Sequence, residues 1–229
     1  SEAFLAKHLG GRFQEGGTPE VVARLKEITV DPKTVVLAKK VDTAAVGAPK
    51  PAVDLAAGTY AYAGSIVAGP QTMQISATRV VKEEGGAWVV TDTAKMPMGE
   101  ATDTTTVEKG TLVPVKRVVK QGPMTIELAF AGGKATGTMA MGAEPKPVSA
   151  DLGGPLFADG NAAHVSIAAL PLADGYQVTF RNFDVQKQKP ALKQAKVTGA
   201  EEVKVPAGTF QAWKVDVTSA EGDPGSTTL

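Results

Sequence analysis

Apolar and polar residues alternate along most of the chain after residue 58, which is the period of a β-strand with one buried face. The clearest case is MTIELAF, in which Met124, Ile126, Leu128 and Phe130 share one face. Similar alternation recurs in four segments, at residues 60–66, 73–77, 176–180 and 213–217. Gly or Pro turns separate these segments. The pattern predicts an antiparallel sheet that meanders and curls, with strands of about 7–11 residues.

One segment of this region departs from the two-residue period. Residues 159–170, DGNAAHVSIAAL, are rich in alanine, and Pro171 follows them. They predict a short helix that is capped near Asp159 or Asn161 and ends before Pro171.

The first part of the chain has helical patterning instead. Residues 1–15 predict a helix that ends at a pair of glycines, and Thr18-Pro19 predicts the start of a second short helix. The pattern divides the chain into a helical segment (1–42), a Pro- and Ala-rich linker (43–55) and a β-domain (56–229).

At the other end, the strand around Trp213 is followed by a turn containing Asp223-Pro224-Gly225, and TTL then begins a partner strand. We therefore expect the β-domain to be truncated at its C-terminus, and the chain to be part of a longer protein.

Composition excludes several classes of function. Lys+Arg and Asp+Glu are balanced at 24 each, so no basic excess favours nucleic acid. The chain has no cysteine, which excludes thiolate chemistry and Cys-ligated zinc. No stretch approaches the roughly 18–20 apolar residues of a transmembrane helix.

The phrase FLAKHLGGR resembles the last helix of prolyl-oligopeptidase-family serine peptidases. The resemblance covers residues 1–15 and implies an upstream peptidase domain in cis, which would carry the catalytic residues. None of those residues maps onto this chain. His8 lies beyond the position of the family's catalytic histidine.

The phrases ALPLADGYQVTF (169–180) and EEVKVPAGTFQAWKVDV (201–217) resemble a family of bacterial secreted β-domains of unknown function, related in shape to periplasmic lipoprotein carriers. This resemblance spans about residues 58–229. It implies a strongly curved antiparallel sheet, a half-barrel or open barrel, with a short helix in its mouth. It also implies a periplasmic or extracellular location.

Two pairs of methionines raise the question of a binding site. Each M-x-M pair, at Met96 and Met98 and at Met139 and Met141, places two thioethers on one face of an extended segment. Three interpretations are open: core packing, a pliable apolar cavity, or a Cu(I) site. His8 and His164 lie on opposite sides of the linker, so we expect a surface or capping role for His164 rather than a metal site.

Other candidate residues favour structural roles. Asp92, Glu100 and Asp103, together with the threonines of DTTT, suggest a solvated strand face. Trp88 and Trp213 lie in apolar strands and are expected to be core anchors.

The sequence predicts no catalytic residue, cofactor or metal, and two functions remain open. The first is a non-catalytic interaction or positioning module at the C-terminus of a secreted serine peptidase. The second is a periplasmic carrier that binds a lipid or another apolar ligand. Five residues would help to line its cavity: Met73, Met124, Ile126, Leu128 and Phe130.

Overall fold

The computed structural model of the chain describes residues 18–20, 23–24, 46–68, 71–96, 99–142, 144–222 and 225–229. The helical segment predicted over residues 1–42, including the peptidase-like residues 1–15, lies almost wholly outside this description and stays a prediction.

Eight consecutive strands form one antiparallel sheet, sheet 1, in which each strand pairs with the next along the chain. The strands are β1 (Gly58–Ala68), β2 (Gln71–Glu84), β3 (Ala87–Met96), β4 (Gly99–Glu108), β5 (Pro114–Gln121), β6 (Met124–Ala131), β7 (Lys134–Met141) and β8 (Pro145–Asp151). Gly85-Gly86 and Gly132-Gly133 turn the chain with positive φ at both positions, as two-residue hairpin turns require. The predicted meander and its glycine turns are confirmed.

Four further strands form sheet 2, in the order β12-β11-β10-β9. They are β9 (Gln177–Asp184), β10 (Lys189–Val205), β11 (Gly208–Ser219) and β12 (Ser226–Thr228). The partner strand expected at the C-terminal end is present as β12, which pairs with residues 216–218 of β11. The expectation of one curved sheet is therefore corrected to two antiparallel sheets, neither of them closed.

The segment between β8 and β9 separates the two sheets. It contains a 3₁₀ turn (Gly160–Ala162) and helix α1 (Ala163–Ala168), so the predicted helix is confirmed. Asp159 stands at the N-cap position but makes no side-chain cap hydrogen bond. Its Oδ1 accepts a hydrogen bond from the backbone N–H of Phe183 instead, at 2.9 Å.

Two apolar clusters hold the sheets and this segment together. The larger cluster joins β2, β3 and β4 to α1 and to β9, β10 and β11, with Phe157 packed edge-on against Phe180 at its centre. The smaller one joins β6, β7 and β8 to Phe183 of β9. Because both clusters use one face of sheet 1, that face is called the inner face below.

Residues 46–55 have no helix or strand, yet they are bound to the β-domain. The backbone N–H of Ala52 donates to the carbonyl of Ala169, at 2.8 Å, and the indole N–H of Trp88 donates to Asp54 Oδ1, at 2.7 Å. This part of the predicted linker follows a fixed course along α1 and β3. In the described part of the chain, no helix has the length and apolar character needed to cross a bilayer.

Candidate functional site

The inner face of sheet 1 is covered along one half and open along the other. Residues directly opposite each other on paired strands point to the same side of a sheet, so the strand register defines rows of side chains that cross it. Three rows matter here: a buried row, a middle row and an open row.

The buried row is packed under sheet 2 and the segment that joins the sheets. It contains Val81, Val90, Thr105, Arg117, Leu128, Gly137 and Val148. Thr105 is fully buried, so the prediction of an exposed threonine run is wrong for it. Gly137 has a φ of +154°, and a Cβ there would overlap the carbonyl oxygen of Glu127. Glycine is therefore required at this position of β7, beside β6.

The middle row is charged at one end and apolar at the other. It contains Arg79, Asp92, Asp103, Val119, Ile126 and Met139. The open row beyond it contains Ala77, Ala94, Ala101, Gln121, Met124 and Met141, all at least partly exposed. Burial therefore decreases from row to row across the same face.

Two arginine–aspartate pairs form the charged end, because Arg117 of the buried row reaches Asp103 of the middle row. The four residues Arg79, Asp92, Asp103 and Arg117 are called the ion row below. Arg79 donates from Nε and Nη2 to the two carboxylate oxygens of Asp92, at 2.8 and 2.6 Å. Arg117 reaches Asp103 in the same forked way, at 3.2 and 2.8 Å. The side chains of Asp92 and Asp103 are 28% and 22% exposed, so the predicted solvated strand face is only partly solvated at these two residues. Glu100 is exposed, as predicted.

The 3₁₀ turn is fastened to this ion row by Asn161. Its Nδ2 donates to the carbonyl oxygens of Val90, at 3.0 Å, and of Asp103, at 2.8 Å. Arg79 Nη2 also donates to the carbonyl oxygen of Asn161, at 3.1 Å. Since these bonds join β2, β3 and β4 to the segment between the sheets, the ion row has a fixed position.

Asp159 adds a third carboxylate behind Arg117. Its Oδ2 lies 3.6 Å from Arg117 Nη1, and its side chain is only 1% exposed. That oxygen has no hydrogen-bond partner among the described residues. Burial away from water raises the pKa of Asp159, although the charge of Arg117 acts in the opposite direction.

The two guanidinium groups are held firmly in the charged state. The hydrogen bonds and the charge of Asp92 raise the pKa of Arg79 despite its burial. Burial lowers the pKa of Arg117, but hydrogen bonds and charge from Asp103 more than offset this, so that its pKa is raised as well. Both arginines form ion pairs with carboxylates of the protein itself.

A groove of about 700 Å³ lies above the ion row, between the middle and open rows and the end of β9. Its apolar wall is formed by Val119, Met124, Ile126, Met139, Met141, Phe183 and Val185. Its polar end is formed by Asp92, Asp103 and Arg117, with Asp184 and Gln186 at the rim. Volumes of about 300–1,000 Å³ are usual for small-molecule sites.

The structure brings together two of the five residues predicted to line a cavity, Met124 and Ile126. Leu128 and Phe130 continue the same face of β6 but pack inside the smaller apolar cluster. Met73 lies on β2, opposite Ile66 of β1, and is 37% exposed.

The other candidate residues have separate positions. Met139 and Met141 both line the groove, whereas the side chains of Met96 and Met98 lie outside the description. His164 is exposed on α1, as predicted. Among the described residues, no group of three or more His, Cys, Asp or Glu side chains is placed to hold a metal ion.

The two tryptophans differ. Trp88 is buried in the larger cluster, as predicted, but the prediction is wrong for Trp213, which is 40% exposed. The reason is that β10 and β11 continue beyond the part of sheet 2 that faces sheet 1, and residues 200–211 at their far end are mostly exposed.

Sequence reasoning missed the arginines, and it considered Asp159 only as a cap of the short helix. A signal was present, since Arg79 falls between Ala77 and Val81 at a position where the period of two places a core residue. A charge at such a position calls for a buried partner. The partner itself could not be identified without the strand register.

Comparison with family models gives a match over residues 59–229, to the family DUF3108, described as a protein of unknown function. Comparisons with curated proteins and with solved structures each found no match. The match covers the β-domain from residue 59 onward, including the groove. The chain therefore belongs to the DUF3108 family, a family of unknown function.

Proposed function

We propose that the β-domain is a binding module that holds a small apolar or amphiphilic ligand, such as a lipid chain, in the groove on the inner face of sheet 1. The observation that carries this proposal is the open half of that face. Ordinarily a sheet buries its apolar face, yet here Met124, Met139 and Met141 line a space large enough for a ligand.

The chemistry of the wall supports the same conclusion. Methionine side chains are unbranched and adapt to apolar ligands of irregular shape. Three of them lie close together, because Met124 is the register partner of Met141, and Met139 is two residues away on the same face. Of the three interpretations of the methionine pairs, we favour the pliable apolar cavity over core packing and Cu(I) binding.

We likewise propose that the eight-stranded sheet acts as a half-barrel, with its inner face as the side that holds the ligand. A second role, as a non-catalytic interaction module of a larger secreted serine peptidase, is compatible with ligand binding. It depends on the resemblance of residues 1–15, which lie outside the described residues. A periplasmic or extracellular location also stays a prediction from resemblance.

The test is a titration of the full chain with the uncharged fluorescent probe N-phenyl-1-naphthylamine. We expect saturable binding to one site. Met141→Glu should weaken binding about fivefold, because the apolar probe would then share the groove with an added charge.

Val67→Glu is the matched control. Val67 is 71% exposed and Met141 is 73% exposed, so both substitutions add a carboxylate at an exposed apolar position. Val67 belongs to the outer face of β1, away from the groove, and its substitution should leave probe binding unchanged. Absence of saturable binding to the unaltered chain, or equal weakening by both substitutions, would refute the proposal.

A further inference from the structure

We propose that the ligand of the groove carries a positively charged, hydrogen-bond-donating head group, a primary ammonium, which Asp92 and Asp103 receive between them. This inference rests on the proposed function and names the ligand class of the same groove.

The two carboxylates lie side by side at the centre of the ion row. Asp92 and Asp103 are direct register partners on β3 and β4, and their arginines stand outside them, on β2 and β5. Like charges directly opposite each other on a sheet are destabilising. A positive group placed between them relieves that repulsion.

Each carboxylate keeps hydrogen-bonding capacity toward the groove. An ionised carboxylate has about four acceptor positions, and Asp92 and Asp103 each receive two N–H groups from one arginine. Both residues line the groove and are partly exposed there. An ammonium, with three donors, can therefore bridge the two carboxylates.

An anionic head group fits this site poorly, because the nearby guanidinium groups are already engaged. Arg117 lies between Asp103 and Asp159. Arg79 is held by Asp92, by the carbonyl oxygen of Asn161 and by the ring of Tyr62, 5.8 Å away. The charge of an anion bound at this site would remain unpaired, and this selects against an anion.

The balance of charge in the row also favours a cation. Arg117 is flanked on two sides, by the carboxylate of Asp103 and by the buried carboxyl group of Asp159, whose Oδ2 lies 3.6 Å from Arg117 Nη1. At the rim, Asp184 Oδ2 lies 3.8 Å from Lys187 Nζ. The polar end of the groove therefore offers no surplus positive charge among the described residues.

A divalent metal ion is a weaker candidate for the same position. Calcium and magnesium require about six or more oxygen ligands in a closed arrangement. Among residues 46–229, as far as the structure describes them, no third acidic or histidine ligand completes such a set. An ammonium has no such requirement, and the apolar wall that begins at Val119 and Ile126 accounts for an attached hydrocarbon chain.

The experiment is displacement of N-phenyl-1-naphthylamine from the full chain by three ligands of equal chain length: decylamine, decan-1-ol and decanoate. At pH 7 the amine is protonated, as a lysine side chain is, and the acid is ionised. We expect decylamine to bind about tenfold more tightly than decanol, and decanoate to bind more weakly than decanol.

Equal affinities for the three ligands would overturn the head-group inference and leave the proposed function standing. Failure of all three to displace the probe, or no probe binding, would contradict the proposed function itself.

Asp103→Asn tests the assignment of residues, and Glu127→Gln is its control. Arg117 keeps Asp159 as a partner in the first variant, which protects the fold. Glu127 is exposed on the outer face of β6, so its substitution removes the same charge away from the groove. Asp103→Asn should reduce the preference for amine over alcohol to about twofold or less, and Glu127→Gln should preserve it. An unchanged preference in Asp103→Asn contradicts the inference.

Should that variant fail to fold, the salt dependence of ligand binding to the unaltered chain is the test. The preference for amine over alcohol must fall as the salt concentration rises. A salt-independent preference contradicts the inference.

Discussion

Asp92 and Asp103 face each other directly across β3 and β4, and each is held in a forked hydrogen-bonded pair by an arginine on the neighbouring strand. This row of charges divides the inner face of sheet 1. One side of it is packed core, and the other is an open apolar groove. Fixing such charges at the boundary requires that each has a partner, because burial of an unpaired charge is costly.

The first prediction concerns Arg117. Arg117→Met leaves Asp103 and the buried Asp159 without their cation, so the free energy of unfolding should fall by about 2–4 kcal/mol, less than for a fully buried pair. Urea unfolding measures the change. Lys82→Met removes a cation from an exposed pair with Glu84 and should change stability by about 0.5 kcal/mol or less. A similar loss in both variants would mean that the ion row does not stabilise the fold.

The second prediction separates the core half of β6 from its groove half. Leu128 is 2% exposed, so Leu128→Ala should cost about 2–5 kcal/mol of stability. Met124 lies on the same face of β6, on the groove wall. Met124→Ala should cost about 1 kcal/mol and should weaken binding of the fluorescent probe. Unfolding and probe titration are measured on each variant. A larger loss of stability for Met124→Ala than for Leu128→Ala would contradict the division of this face.

The third prediction uses the two tryptophans as a pair. Trp88→Phe removes the indole N–H that donates to Asp54 and part of a buried ring, and should cost about 1–2 kcal/mol. Trp213→Phe changes an exposed side chain and should be close to neutral. Thermal unfolding of the two variants checks this, and an equal cost would show that Trp213 is buried.

The fourth prediction concerns backbone geometry in β7. Gly137→Ala should cost about 2 kcal/mol or more, because its Cβ would overlap the carbonyl oxygen of Glu127. The control is Gly64→Ala in β1, where the nearest atom would lie at an ordinary contact distance of 3.8 Å. We expect this control to be neutral or slightly stabilising. If both substitutions are tolerated equally, β6 and β7 do not approach each other as closely as described.

The fifth prediction concerns pH. Burial raises the folded-state pKa of Asp159 above its unfolded-state value, so the folded state binds more protons in the window between the two. The stability contribution of Asp159 is therefore full below an unfolded-state pKa of about 4 and is lost as pH rises through the folded-state pKa.

Asp159→Asn tests this sign, since the amide oxygen can still accept the hydrogen bond from Phe183. Urea unfolding from pH 4 to pH 8 should show the variant gaining stability relative to the unaltered chain as pH rises. A difference in stability between the two proteins that stays constant across that range would indicate that folding does not change the pKa of Asp159.

Local pattern determined the elements of this protein. The period of two placed Met124 and Leu128 on one face of a strand, and glycine pairs such as Gly85-Gly86 fixed the hairpin turns. The helix of residues 163–168 followed from a break in that period. These features depend on neighbours along the chain, so the sequence alone was enough to predict them.

Tertiary structure decided which strands form which sheet and which half of a face is covered. Met124 and Leu128 are alike in the pattern, yet one lines the groove and the other is core, because sheet 2 covers only part of sheet 1. Likewise, Trp213 repeats the setting of Trp88 but lies beyond the covered part. The pairing of Arg117 with Asp103 depends on strand register. Its contact with Asp159 joins residues distant in sequence, which no local period encodes. Burial and charge pairing are properties of residues distant in sequence, and for that reason only the folded chain fixes them.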